Sequence, residues 1–83
     1  MSTIKTLRQV LSGTSDATIR FDDLRQLLLS LGVEMRVRGS HHIFRSAGIE
    51  EKINLQREGS EVKPYQVRQV RNVLLQYHLG ERE

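Results

Sequence analysis

At Gly32 the hydrophobic period of this chain changes. Before it, Leu24, Leu27, Leu28 and Leu31 recur at i, i+3, i+4 and i+7, the one-sided stripe of an amphipathic helix. After it, Val33, Met35 and Val37 alternate with Glu34, Arg36 and Arg38, the pattern of a strand with one wet face. No single element accommodates both periods, so the backbone must pass from helix to strand at this glycine. Asp22 fits the N-cap of the helix and Gly32 its stop.

The remaining elements follow from the same two periods. Gly39-Ser40 predicts a tight turn, and His41–Arg45 the second strand of a hairpin. Ser46-Ala47-Gly48 predicts the next turn. Lys52–Gln56 then reads as a third strand, with Ile53 and Leu55 on one face and Asn54 and Gln56 on the other; Arg57-Glu58-Gly59-Ser60 closes it. Pro64 suits the first turn of a final helix whose apolar stripe is Val67, Val70, Leu74 and Tyr77, with Gly80 as its end. Upstream, Ile4, Leu7, Val10 and Leu11 predict a short helix over residues 3–11, followed by a loop over Ser12–Asp16. The sum is an α+β fold: helix, helix, three antiparallel strands, helix, with the helices on one face of the sheet. With 83 residues the chain is one thin-cored domain. It divides into an accessory helix and linker (1–20), a main body (21–80) and a tail (81–83).

Composition excludes several classes of chemistry. The chain has no cysteine, so neither a disulfide scaffold nor a thiolate metal site is available. No apolar run is long enough to span a bilayer and no signal-peptide pattern opens the chain, so the expected compartment is the cytoplasm. Thirteen Lys and Arg against ten Asp and Glu give a net charge of +3. Arginine far outnumbers lysine, and arginine is the better bidentate partner for phosphate.

Where those charges sit follows from strand alternation. Phe44, the large apolar residue of the second strand, is expected to pack under the helices, which places His42 and Ser46 on its side. His41, Ile43 and Arg45 then share the opposite face with Glu34, Arg36, Arg38, Asn54 and Gln56. Three arginines, a histidine and two amides suit the backbone and 2′-hydroxyls of RNA. A histidine beside a glycine turn can reach solvent, and imidazole is the side chain type suited to moving a proton near neutral pH. The plainer alternative is an ordinary solvated face, which in an antiparallel sheet is polar anyway. Phe44 facing outward as a stacking platform would reverse the histidine assignment. His42, packed beside Phe44, reads as a structural, hydrogen-bonded residue.

Lys63, at the start of the final helix, with Arg68 and Arg71 along one flank, offers a second phosphate contact; an exposed helix flank is the alternative. Tyr65 could stack on a base, whereas Tyr77 belongs to the apolar stripe, and His78 reads as a surface residue near a helix end. Adjacent histidines diverge to opposite faces and no acid accompanies them at a ligand spacing, so the pattern calls for no metal. Nor does any Ser-His-acid set converge by sequence.

Taken in order, Leu24…Leu27-Leu28…Leu31-Gly32, a strand, Gly39-Ser40-His41-His42-Ile43-Phe44, the strand Ile53-Asn54-Leu55 and a closing helix resemble the HicA family of bacterial toxins. The resemblance covers residues 21–79. It implies a fold like a double-stranded-RNA-binding domain (dsRBD-like, α-β-β-β-α), here with an extra N-terminal helix. It also implies an mRNA interferase, a metal-independent endoribonuclease that cleaves mRNA without a cofactor and is inhibited by a HicB-type antitoxin protein. The family's catalytic histidine follows Gly-Ser, which maps to His41; members with histidine only at the next position keep His42 as runner-up. Arg36, Arg38 and Arg45 would stabilise charge on the phosphate, with Ser40, Lys63 and Arg68 as further RNA contacts. Residues 1–20 precede the point where compact members begin, and Glu61–Gln66 differs from the smallest members. Two other classes stand beside this one: a non-catalytic RNA-binding module, and a protein-interaction domain without RNA affinity.

Overall fold

The computed structural model describes residues 3–56 and 59–79. Its elements are α1 (Thr3–Ser12), a single 3₁₀ turn (Asp16–Thr18), α2 (Phe21–Ser30), β1 (Glu34–Arg38), β2 (His41–Ser46), β3 (Ile49–Gln56) and α3 (Pro64–Gln76). The strands form an antiparallel meander in the order β1-β2-β3. This is the expected α+β architecture, an α-β-β-β-α order with an extra N-terminal helix. No helix among the described residues is long and apolar enough to cross a membrane.

The two periods that meet at Gly32 also build the core. Phe21, Leu24, Leu27 and Leu28 of α2 and Val67, Val70 and Leu74 of α3 bury their stripes against Phe44, Ile53 and Leu55 of the sheet. Phe44 therefore faces the helices and is fully buried, so the outward stacking platform is ruled out. Val10 and Ile19 join the same core, so α1 and the segment after it pack on the body of the protein.

Several local expectations are corrected. The buried stripe of α1 is Thr6 and Val10, while Ile4 and Leu11 lie on the outer flank and are exposed. Asp22 is not the N-cap of α2: Arg20 caps the helix in an extended conformation, and Asp22 and Asp23 occupy the first turn, where they complement the helix dipole. The reason is a backbone bridge. Arg20 pairs with Glu61, and the Phe21 N–H, a donor with no intrahelical partner, is taken by the Ser60 carbonyl at 3.0 Å. β3 begins at Ile49, earlier than expected, because Ala47-Gly48 alone makes the turn. Val37, on the core side of β1, is 54% exposed: β1 is an edge strand, and at this end the helices cover its neighbours His42 and Leu55 instead. Gly80, Arg57, Glu58 and the tail over residues 81–83 lie outside the described residues.

Both α2 and α3 end in the same motif. After α2, the Gly32 N–H donates to Leu29 and the Val33 N–H to Leu28, at 3.0 and 3.2 Å. After α3, the His78 N–H donates to Leu75 and the Leu79 N–H to Leu74, at 3.4 and 2.9 Å. The pivot residue takes a positive φ in each: +89° at Gly32, where it is easy, and +57° at His78, where a side chain opposes it. The helix stop expected at Gly80 is therefore made by His78.

Two polar clasps complete the fold. The Arg71 guanidinium donates to Asp16 Oδ1 and Oδ2 at 3.0 and 3.1 Å and to the Val10 carbonyl at 3.0 Å, pinning the end of α1 and the 3₁₀ turn to α3. Arg71 is thus a structural residue rather than part of a phosphate flank with Arg68. Tyr77 is half-buried rather than fully in the core; its hydroxyl donates to Glu51 Oε1 at 2.6 Å and accepts the Glu50 N–H at 3.3 Å. The bond to Glu51 holds the phenol above its ordinary pKa.

Candidate active site

A two-residue turn sets the site. Gly39 adopts φ +58° at the first turn position, the geometry that matches strand twist and favours glycine there. Arg38 and His41 then pair directly as the first rung of the hairpin. The register fixes everything on the open face: His41 lies between Arg38 and Gln56, Ile43 between Arg36 and Asn54, and Arg45 opposite Glu34.

His41 is exposed on that face, with Nδ1 at 3.2 Å from Asn54 Oδ1. Asn54 is its diagonal neighbour on β3, within reach across a pleated surface. The Asn54 carbonyl accepts Gln66 Nε2 at 3.1 Å, and Gln66 Oε1 accepts the Lys63 N–H at 3.4 Å. Gln66 is only 4% exposed.

Beside His41 runs a concavity of about 810 Å³ lined by Glu34, Met35, Arg36, Arg38, Ile43, Arg45, Ser46, Ala47 and Lys52. His41 itself is not in its lining; Arg38, its cross-strand partner, and Ile43, two residues along β2, are. Four cations face one carboxylate here. None of the four makes an ion pair among the described residues. Unpaired like charges gathered on a concave surface favour a polyanion.

His42 points the other way. Its ring meets Phe21 edge-on, with centroids 4.6 Å apart and planes at 70°, and its Nδ1 is buried with no hydrogen bond. The expected hydrogen bond of a structural histidine is therefore missing on that nitrogen. Ser40 is exposed in the hairpin turn, Lys63 is the N-cap of α3 and Arg68 is exposed on α3; none of the three lines the groove. Arg36, Arg38 and Arg45 are brought together as expected. Tyr65 is exposed on α3, outside the groove lining.

Sequence reasoning missed two residues. Lys52 shares the parity of Asn54 and Gln56, so the alternation in β3 already put it on the open face. Gln66 carried no comparable signal beyond its place three residues after a helix start. Among the described residues no group of three His, Asp or Glu is placed to hold a metal ion. No family model, curated protein or solved structure matches the chain.

Proposed function

We propose that this protein is a metal-independent endoribonuclease of the HicA toxin type, cleaving mRNA in the cytoplasm and held in check by a HicB-type antitoxin. The observation that carries the reading is an exposed imidazole on the same sheet face as a groove containing Arg36, Arg38, Arg45 and Lys52, with Arg38 its direct cross-strand partner. In this reading the groove holds the RNA backbone and His41 is the catalytic residue. The His41 imidazole takes the proton of a 2′-hydroxyl, and the 2′-oxygen bonds to the adjacent phosphorus. The bond from phosphorus to the 5′-oxygen breaks, and that oxygen leaves with a proton returned by the imidazolium or by water. The products are a 2′,3′-cyclic phosphate and a 5′-hydroxyl. Arginine stabilises the added negative charge of the transition state.

A general base of this kind contributes about 10²–10⁴-fold. The test is incubation of a long labelled single-stranded RNA in EDTA with wild type and with His41→Ala. Fragments from wild type alone, ending in cyclic phosphate, support the reading. Fragments from both variants remove His41 from the chemistry. Intact RNA that is bound in a salt-dependent way would make the protein a binding module instead. Intact, unbound RNA would leave a protein-interaction domain.

A further inference from the structure

The His41 ring is not unassisted on the open face. A carboxamide oxygen only accepts, so the 3.2 Å contact between His41 Nδ1 and Asn54 Oδ1 is a hydrogen bond only with the proton on Nδ1. In the neutral ring Nε2 is then bare, the state in which an imidazole works as a base. The strand that carries Asn54 is itself held from behind: the Asn54 main-chain carbonyl accepts the side chain of Gln66, which is buried at the start of α3 and bonded in turn to the Lys63 N–H. A buried carboxamide must find partners, and Gln66 finds them on the edge of β3 and at its own helix start. A chain of contacts thus runs from the helical layer, through the sheet edge, to the imidazole. The charged group facing His41 across the sheet is Arg38 of β1; β3 offers Asn54 and Gln56, both uncharged.

We infer that Asn54 is a positioning residue that fixes the tautomer of His41 with Nε2 as the free base, and that Gln66 fixes Asn54. The effect on rate rests on the ribonuclease reading, but the tautomer is a property of the free protein. Nitrogen-15 NMR of the imidazole, at a pH where it is neutral, reads the tautomer without any substrate. Wild type is expected to show a protonated Nδ1. Asn54→Leu, similar in size and without an acceptor, shifts population to protonated Nε2 and lowers kcat about two- to tenfold, the worth of one net hydrogen bond, with KM unchanged. Asn54→Asp restores the acceptor and the wild-type tautomer. Gln66→Met moves the tautomer in the direction of Asn54→Leu by a smaller amount.

Asn54 is exposed, so an unchanged amide spectrum over Phe44, Val67 and Val70 shows that its variants have folded. A wild-type ring protonated on Nε2, or an Asn54→Leu ring identical to wild type, overturns the inference. A tautomer shift in a protein that cuts no RNA supports the positioning role and sinks the ribonuclease reading alone.

Discussion

Removal of the Arg71 guanidinium tests how the N-terminal segment is held. Arg71 and Asp16 are 17% and 15% exposed at their side chains, and the guanidinium also satisfies the Val10 carbonyl at the end of α1. Breaking a fully buried ion pair by deleting one partner costs about 3–5 kcal/mol, because the surviving charge has nothing to meet. Here water reaches part of the orphaned Asp16, so the expected loss for Arg71→Ala is about 2–3 kcal/mol. A domain of this length commands about 4–12 kcal/mol in total. The variant should therefore unfold at a clearly lower urea concentration, with a Tm lower by about 8–24 °C at about 4–8 °C per kcal/mol. A double-mutant cycle with Asp16→Ala should give a coupling of at least about 1 kcal/mol. If α1 were released first, the urea slope would fall as well, since less surface would remain to expose in the main transition. Arg71→Ala within about 0.5 kcal/mol of wild type, or a coupling near zero, would refute the reasoning and class the pair with exposed salt bridges.

Three other perturbations probe single features. The Tyr77 pKa is raised by its bond to Glu51, so this contribution to stability is intact below the ordinary phenol range near 10.0 and is lost as pH rises through the folded-state value. Tyr77→Phe should flatten that alkaline limb in urea titrations between about pH 8 and 11, and an identical limb in both proteins would discount the bond. His78→Gly should stabilise the protein by about 1 kcal/mol, the cost of a left-handed residue that carries a side chain; a lower Tm would show that the His78 side chain outweighs its strain. The unpartnered Nδ1 of His42 predicts that His42→Phe raises the unfolding free energy by about 1 kcal/mol, read as a higher urea midpoint, as a buried unsatisfied nitrogen costs about 1–3 kcal/mol. RNA cleavage by that variant should match wild type; loss of cleavage in a folded His42→Phe protein would return His42 to contention.

Residues governed by local period were legible in the sequence. The alternation through Val33–Arg38 and His41–Arg45 separated His41 from His42 correctly, because strand parity is a geometric constant and Phe44 was large enough to anchor it. Residues governed by distant partners were not legible. Arg71 looked like one more exposed cation on a helix flank, and nothing local announces an acid 55 positions away. Thr6 displaced Ile4 and Leu11 from the buried stripe of α1 because the seat is set by α2 and α3, which periodicity within α1 does not describe. His78 was invisible as a helix stop, since the signal for such a stop is glycine. In the groove, arginine identity was readable from the strands. The support of Asn54 by Gln66 depends on where α3 crosses the edge of β3, a tertiary fact.

A sheet covered on one side only divides the chain into two populations of residues under selection. Changes at Arg36, Arg38, His41, Arg45, Lys52 and Asn54 meet solvent rather than the core, so on the proposed ribonuclease reading they alter recognition while the amount of folded protein in a cell stays near constant. Changes at Phe44, Val70 or Arg71 act in the opposite way, through the folded fraction and hence through turnover by proteases. A lineage could therefore retarget or silence this surface in single steps without passing through a misfolded intermediate. In a deep mutational scan, abundance and activity scores should accordingly part company along β2 residue by residue, with the period of the strand itself.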